Sequence, residues 1–388
     1  MRSLIALATG AFALGFAEFI MMGISTVVAS ELRVSVPFTG NFVSAYALGV
    51  CIGSVILVVF RKAPPKRLIL CLIAMMVAAN AFCALSANAG MLLAGRFIAG
   101  IPHGAYFGIA TIAAKDVAKS GKATQAVAVM VAGQTIANMV GVPFGSWLAQ
   151  TFDWRAPFAF VSVWALGGLA LNAAFVPRIP PATDSGILAQ FGFLRKPAPW
   201  VILAAVLLGN TGLLCWWSFV TPWLTDVSHV PMSLTPLLLV VAGFGMFVGS
   251  QAGGRLSDMT TPGRMAALGQ GIGCVALLLI FLFSHIEWVA CVLTFVTGFA
   301  MYFIASPQQL VMVDVGEGGG EMVGAASVQI AYNIGNALGA AIGQMVLNMH
   351  LGYDWPSLAG FPFSLVATAL LVVFAFRMER NYRSAEVG

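Results

Sequence analysis

Apolar residues dominate this chain in runs of about twenty, separated by short polar intervals. Twelve runs can be placed, at approximately 4 to 30, 39 to 60, 67 to 87, 91 to 114, 123 to 150, 157 to 176, 199 to 225, 233 to 254, 264 to 284, 287 to 311, 321 to 348 and 357 to 377. A helix needs about 20 mostly apolar residues to cross the hydrocarbon core of a bilayer. The pattern therefore predicts an all-α membrane protein with twelve transmembrane helices.

Within the fifth run, GQTIANMVGVPFG from Gly133 to Gly145 repeats a small residue every fourth position, at Gly133, Ala137, Gly141 and Gly145. On an α-helix that spacing makes one stripe along the rod. Helices in lipid gain little from hydrophobic burial against each other, so close backbone approach along such stripes has to hold them together. Gln134 and Asn138, also one turn apart, set two amides on a neighbouring face, and Pro143 allows a bend near the end of the helix.

The design returns half a chain later. SVQIAYNIGNALGAAIG, residues 327 to 343, carries Gln329 and Asn333 at the spacing of Gln134 and Asn138, with small residues at Gly335, Gly339 and Gly343. Gly49 and Gly53 correspond in the same way to Gly245 and Gly249, and Asp153-Trp154 echoes Asp354-Trp355. Because the polar positions match as well as the small ones, duplication explains the pattern better than shared composition. The expected organisation is two pseudo-symmetric six-helix bundles, residues 1–176 and 199–388, joined by a linker over residues 177–198. Paired repeats around a midplane site are a common plan of secondary transporters.

Lys and Arg in alternate loops give the expected orientation. Sixteen fall on one side, from Arg2 through Lys66, Lys115, Arg178 and Arg255 to Arg383, and only Arg33 and Arg155 on the other. The positive-inside rule then puts both termini in the cytoplasm. With 60% apolar and 9% charged residues there is no interval for a soluble domain, and a net charge of +5 reports topology instead of nucleic-acid binding. The six cysteines all lie in apolar runs without metal or redox spacing, which suits reduced packing residues. The first run continues past signal-peptide length without a clear cleavage site and is expected to be retained. HExxH, phosphate-binding loops and paired carboxylates do not occur, and four scattered histidines form no metal site, so neither an enzyme nor a metal or cofactor requirement is indicated.

Two residues well inside the runs carry charge at neutral pH, Glu18 in GFAEFIMMG and Arg96 in AGRFIAGIPHG. A charge at that depth is costly and should face a cavity or a partner. Glu18, caught between desolvation and a nearby cation, is a candidate for proton exchange; a permanently protonated structural carboxyl is the alternative. His103, two turns beyond Arg96, reads either as a proton relay or, more commonly for a lone His, as a hydrogen-bonded packing residue. Gln134, Asn138, Gln329 and Asn333 suit pocket lining and helix-to-helix hydrogen bonding about equally. Tyr46, Trp216, Trp217 and Tyr302 offer an aromatic wall for a substrate, with Asn210, Gln308 and Gln309 as polar neighbours, whereas Trp288 and Trp355 suit the membrane interface.

With these residues in hand, the chain resembles the major facilitator superfamily, within it the twelve-span drug:proton antiporters and their arabinose and sugar efflux permease-like branch. The resemblance covers essentially the whole chain. It rests on GFAEF at 15 to 19, GRFIAGIPHGAYFG at 95 to 108, GQTIANMVGVPFG followed by DWRAPF at 153 to 158, GNTGLLCWWSFVTPW at 209 to 223 and QIAYNIGNALGA at 329 to 340. It implies two bundles rocking around a central cavity, with Arg96 matching an arginine associated with proton coupling and Glu18 an acid found in several relatives. It also implies conformational roles for Gly133, Gly141, Pro143 and Gly145, and for the loop signature Gly254, Asp258, Gly263 and Arg264.

In the first half the corresponding signature has Leu57 where an acid would stand after Gly53. Asp258 can meet the positive end of a helix, the fifth being the expected one. The clasp on the eleventh has lost its acid, so a weaker latch is expected in the outward-facing state. The function expected is proton-coupled efflux of a small organic compound, sugar or drug, by a monomer in the bacterial inner membrane, with the proton gradient as its energy source. A sugar facilitator or proton symporter working as importer is the alternative, and a membrane receptor a remote one.

Overall fold

A computed structural model describes residues 1–34, 37–60, 62–180, 190–231 and 234–380. Among these, twelve long helices follow the apolar runs: α1 (Arg2–Glu31), α2 (Gly40–Val59), α3 (Pro65–Ala84), α4 (Ala89–Asp116), α5 (Ala123–Thr151) and α6 (Ala156–Phe175) in the first half. The second half holds α7 (Pro197–Trp217), α8 (Thr235–Met259), α9 (Pro262–Phe283), α10 (Glu287–Phe303 continued as Ala305–Val315), α11 (Glu321–Asn348) and α12 (Trp355–Val373). Ten stretches among the described residues are long and apolar enough to span a membrane. The apolar part of α2 is shorter, Gly40–Ile56. In α11 the run is diluted by Gln329, Asn333, Asn336 and Gln344.

Two boundaries differ from the sequence reading. The seventh helix ends at Trp217 and resumes irregularly through Val220–Pro222 and Trp223–Val227. Pro222 has no N–H for the carbonyl of Ser218, so the regular ladder fails one turn before it. The tenth helix breaks at Ile304 for the same reason, because Pro307 leaves the Phe303 carbonyl without its helical donor. Pro143 interrupts nothing: α5 continues through it to Thr151.

The halves repeat one another in their packing. α1 pairs with α5, α2 with α4 and α3 with α6, and correspondingly α7 with α11, α8 with α10 and α9 with α12. The glycine stripes make these contacts. Gly49 and Gly53 lie against the carbonyls of Phe97 and Ile101 on α4, and their counterparts Gly245 and Gly249 lie against Phe295 and Phe299 on α10. Gly133 approaches the Ala8 carbonyl on α1, and Gly141 and Gly145 lie against Phe16 and Ile20 further along. Gly335, Gly339 and Gly343 repeat this on α7, at the carbonyls of Leu207, Thr211 and Cys215. A Cβ at most of these positions would overlap backbone, so the residue pattern translates directly into interhelical distance.

The buried apolar residues of the first half form one cluster, which also takes in Met322 and Ala326 of α11, and those of the second half form three. In the first, Phe16, Phe42, Tyr106, Phe107, Trp154 and Phe158 are fully enclosed; in the second, Trp216 and Trp223 meet at 4.9 Å between ring centroids. The halves join chiefly where α5 runs along α8, with a lesser contact of α11 on α2 and α4. Gly254 lies against Thr124 and Ala128, and Gly243 against Met139. Both pairs are separated by about 15 residues or fewer, so the seam follows α5 for roughly 20 Å at 1.5 Å per residue. It starts at the end carrying Lys66, Lys115 and Arg255, called the basic side below.

Candidate functional site

Glu18 sits about 24 Å along α1 from the basic side at 1.5 Å per residue and is partly accessible. Its carboxylate accepts from Gln134 Nε2 on α5 at 3.4 Å, which Gly15 permits by leaving room for the Gln134 side chain. Among the described residues it forms no ion pair.

Arg96 makes no ion pair with that carboxylate, although its charge acts on it. Fully buried, its guanidinium donates to three main-chain carbonyls: Nη1 to Ala17, Nη2 to Glu18 at 3.4 Å and Nε to Phe42 at 3.3 Å. The guanidinium carbon also lies 4.3 Å from the Tyr46 ring centroid, a cation–π arrangement. The cation therefore binds α4 to the backbone of α1 and α2 at the level of Glu18.

Tyr46 and His103 belong to the same interior. Tyr46 Oη is 2.9 Å from His103 Nδ1 and 3.3 Å from the Leu14 carbonyl. Both side chains are nearly inaccessible, at 2% and 4%. His103 has the surroundings of a hydrogen-bonded packing residue. Tyr46 braces Arg96 from within this interior.

Trp216 is enclosed as well. It lies wholly in an apolar core of the second half with Leu213, Trp223 and Leu277, and Trp217 packs partly buried against that core. Adjacent on the helix, the two side chains leave it about 100° apart, so the core encloses the first while the second packs at its edge, 5.9 Å away between ring centroids.

The amides separate into distinct settings. Asn138 Nδ2 donates to Tyr302 Oη on α10, joining the halves near the depth of Glu18. Tyr332 Oη donates to Gln308 Oε1 at 2.6 Å, and Asn210 Nδ2 lies 3.4 Å from the Tyr332 carbonyl. Asn333 Nδ2 turns back to the Gln329 carbonyl of its own helix at 2.9 Å. Gln309 accepts from Thr111 on α4 at 2.8 Å. With Phe107, Gly108, Thr111 and Ala325, Gln309 and Gln329 surround a small gap at the junction of α4, α10 and α11.

Toward the basic side the halves are tied more firmly. Asp258, at the end of α8, accepts the backbone N–H of Thr124 at 2.9 Å and of Gln125 at 2.8 Å, capping α5 from the other half. Lys115 on α4 pairs with Asp314 on α10 at 2.6 Å and lies 3.8 Å from Glu317. Gln251 Nε2 donates to the Ala128 carbonyl at 3.0 Å. Arg264 stacks over Phe376, 5.5 Å from its centroid, while Glu379 receives the Gly263 N–H and the Thr261 hydroxyl at 2.7 and 2.6 Å. The side chain of Leu57 lies outside the described residues, as do residues 181–189 of the linker.

Sequence reasoning missed Thr111, Tyr332, Asp314 and Glu379. Tyr332 lay within the repeated motif, three residues after Gln329, and carried a readable signal. The others take part only through partners on distant helices.

Two six-helix bundles that repeat one another and meet around a partly accessible acid at mid-depth have the plan of a membrane transporter. The chain matches the Major Facilitator Superfamily over residues 7–328, and it belongs to that family. It is 36% identical over 374 residues to "Putative transporter AraJ" of Escherichia coli (strain K12), covering 96% of this chain and 95% of that one. Identity to a "Probable sugar efflux transporter" of Helicobacter pylori (strain J99 / ATCC 700824) is 26% over 373 residues, 96% and 94% of the two chains. The fold also matches the crystal structure of FucP, a Major Facilitator Superfamily transporter in the outward conformation. There the TM-score is 0.77 at 15% identity, over 96% of this chain and 99% of FucP.

Proposed function

We propose that this transporter exports a small organic compound across the bacterial inner membrane in exchange for protons, by alternating access. The observation that carries the proposal is Glu18, a carboxyl group at membrane depth between the halves, partly accessible and without a paired cation among the described residues. The excess of Lys and Arg on the basic side supports a cytoplasmic assignment for that side and for both termini. The arrangement here then corresponds to the outward-facing state, closed toward the cytoplasm.

Closing the cavity around a bare carboxylate carries the penalty of burying a charge, and protonation removes it. Glu18 takes a proton from the outside, the halves rock, and release of the proton inside accompanies loading of substrate. Arg96 holds the backbone of α1 in place during this cycle. No cofactor takes part, and the proton gradient supplies the energy.

Purified protein in vesicles with an imposed pH gradient tests this, with a panel of radiolabelled sugars and drugs as substrates. Wild type is expected to accumulate substrate against its gradient, and Glu18→Gln to retain only downhill exchange. Undiminished gradient-driven accumulation by Glu18→Gln would remove the assignment.

A further inference from the structure

Asn138 and Tyr302 are bonded to each other and yet leave complementary capacity unused. The Asn138 amide has two donor hydrogens and an acceptor oxygen. Its Nδ2 donates to Tyr302 Oη, while its Oδ1 is buried without a partner. Since Tyr302 Oη accepts that bond, its own O–H remains to donate. An acceptor and a donor thus stand side by side, which is the complement of a hydroxyl group. Asn336 on α11, one turn beyond Tyr332, holds a second buried acceptor without a partner, also Oδ1.

Two opposite charges lie at this depth, Glu18 and Arg96, and only the first is accessible. Gln134, one turn before Asn138, leads to the Glu18 carboxylate, and Tyr302 lies within electrostatic reach of Glu18. Arg96, the other charged group at this depth, is enclosed and committed to three carbonyls. An anion arriving here would meet a carboxylate and no available counter-ion. The pair also bridges α5 and α10, and the Tyr302 ring packs on the core of the first half.

We propose that Asn138 and Tyr302 form the polar end of the substrate site, which takes an uncharged, hydroxyl-bearing compound and rejects organic anions. This rests on the transport reading above and names the substrate class for it. A hydroxyl inserted there donates to Asn138 Oδ1 and accepts from Tyr302, touching both halves at once.

Isothermal titration of the purified full chain in detergent, without any gradient, tests the proposal with three matched probes. These are phenyl β-D-glucoside, its tetra-O-methyl ether, which has no donor, and phenyl β-D-glucuronide, which is anionic. The glucoside is expected to bind at least tenfold more tightly than either of the others. In Asn138→Ala and in Tyr302→Phe its Kd should rise about tenfold, the scale of one lost hydrogen bond. Its margin over the methyl ether should shrink to within about threefold.

Equal or tighter binding of the glucuronide, no binding of the glucoside, or undiminished discrimination in both variants would overturn the proposal. Should the variants fail to elute as folded protein, the three probes on wild type still decide. Gradient-driven accumulation retained in Glu18→Gln, with this discrimination intact, would count against the role of Glu18 alone, and the converse result against Asn138 and Tyr302 alone.

Discussion

The carboxylate of Asp258 caps the first turn of a helix in the other half of the molecule, with the Thr124 N–H 2.9 Å from one oxygen and the Gln125 N–H 2.8 Å from the other. A helix N-terminus concentrates unpaired donors and partial positive charge, so an acid placed there forms charge-assisted bonds. Rocking the halves apart on the basic side has to break both. Asp258→Ala is expected to shift the balance toward opening on that side by about 1 to 2 kcal/mol. Spin-label distances between the basic-side ends of α5 and α8 would show it as a longer-distance population several-fold larger than in wild type.

The first half lacks the equivalent acid at Leu57, but α11 begins with one of its own. Glu321 occupies its first turn and accepts the N–H groups of Gly318 and Gly319 at 3.0 and 3.1 Å. A second carboxylate competing for those N–H groups would face a like charge. Leu57→Asp alone is therefore expected to leave the conformer distances between α2 and α11 nearly unchanged. Leu57→Asp combined with Glu321→Gln should favour closure, and an equal response of single and double variants would contradict this account.

Lys115 and Asp314 form an ionic tie between the halves, at 2.6 Å with side chains 26% and 29% accessible, and Glu317 lies 3.8 Å from the same ammonium. Partly exposed pairs contribute little because solvent and salt screen them. Lys115→Ala should change the same conformer balance by less than about 1 kcal/mol. The effect should fade as salt is raised, and the exchange Lys115→Asp with Asp314→Lys should restore most of it. A salt-independent effect larger than that of Asp258→Ala would reverse the ranking of the two ties.

Gly133 has no room for a side chain, since a Cβ would overlap the Ala8 carbonyl on α1, whereas Gly167 on α6 has no atom within 4 Å of that position. Gly133→Leu is expected to cost about 1 to 3 kcal/mol, the range for overpacking, and to lower the thermal unfolding midpoint in detergent. Gly167→Ala should leave the midpoint unchanged or raise it, given the better helix propensity of Ala. Similar losses in both variants would mean that the stripe on α5 does not set the α1 distance.

Much of the fold could be read along the chain because membrane insertion selects on local composition. Apolar length marks each span, and the small residues at Gly133 to Gly145 and Gly335 to Gly343 mark the faces where backbones meet. The same locality made Glu18 and Arg96 visible, since a charge within an apolar run is conspicuous whatever lies across from it. Tyr46 and Trp216 are enclosed here, which their spacing could not foretell, because an aromatic residue has the same spacing whether it faces a cavity or a core.

The sequence by itself determined the helices, their internal repeat and the identity of the acid at mid-depth. Only the tertiary structure decided that Arg96 binds main-chain carbonyls instead of the Glu18 carboxylate, and that Asn138 meets Tyr302. Periodicity assigns a residue to a face of its own helix. The partner of a polar group is fixed by how distant helices rotate and slide together, and packing sets that geometry without leaving a local trace.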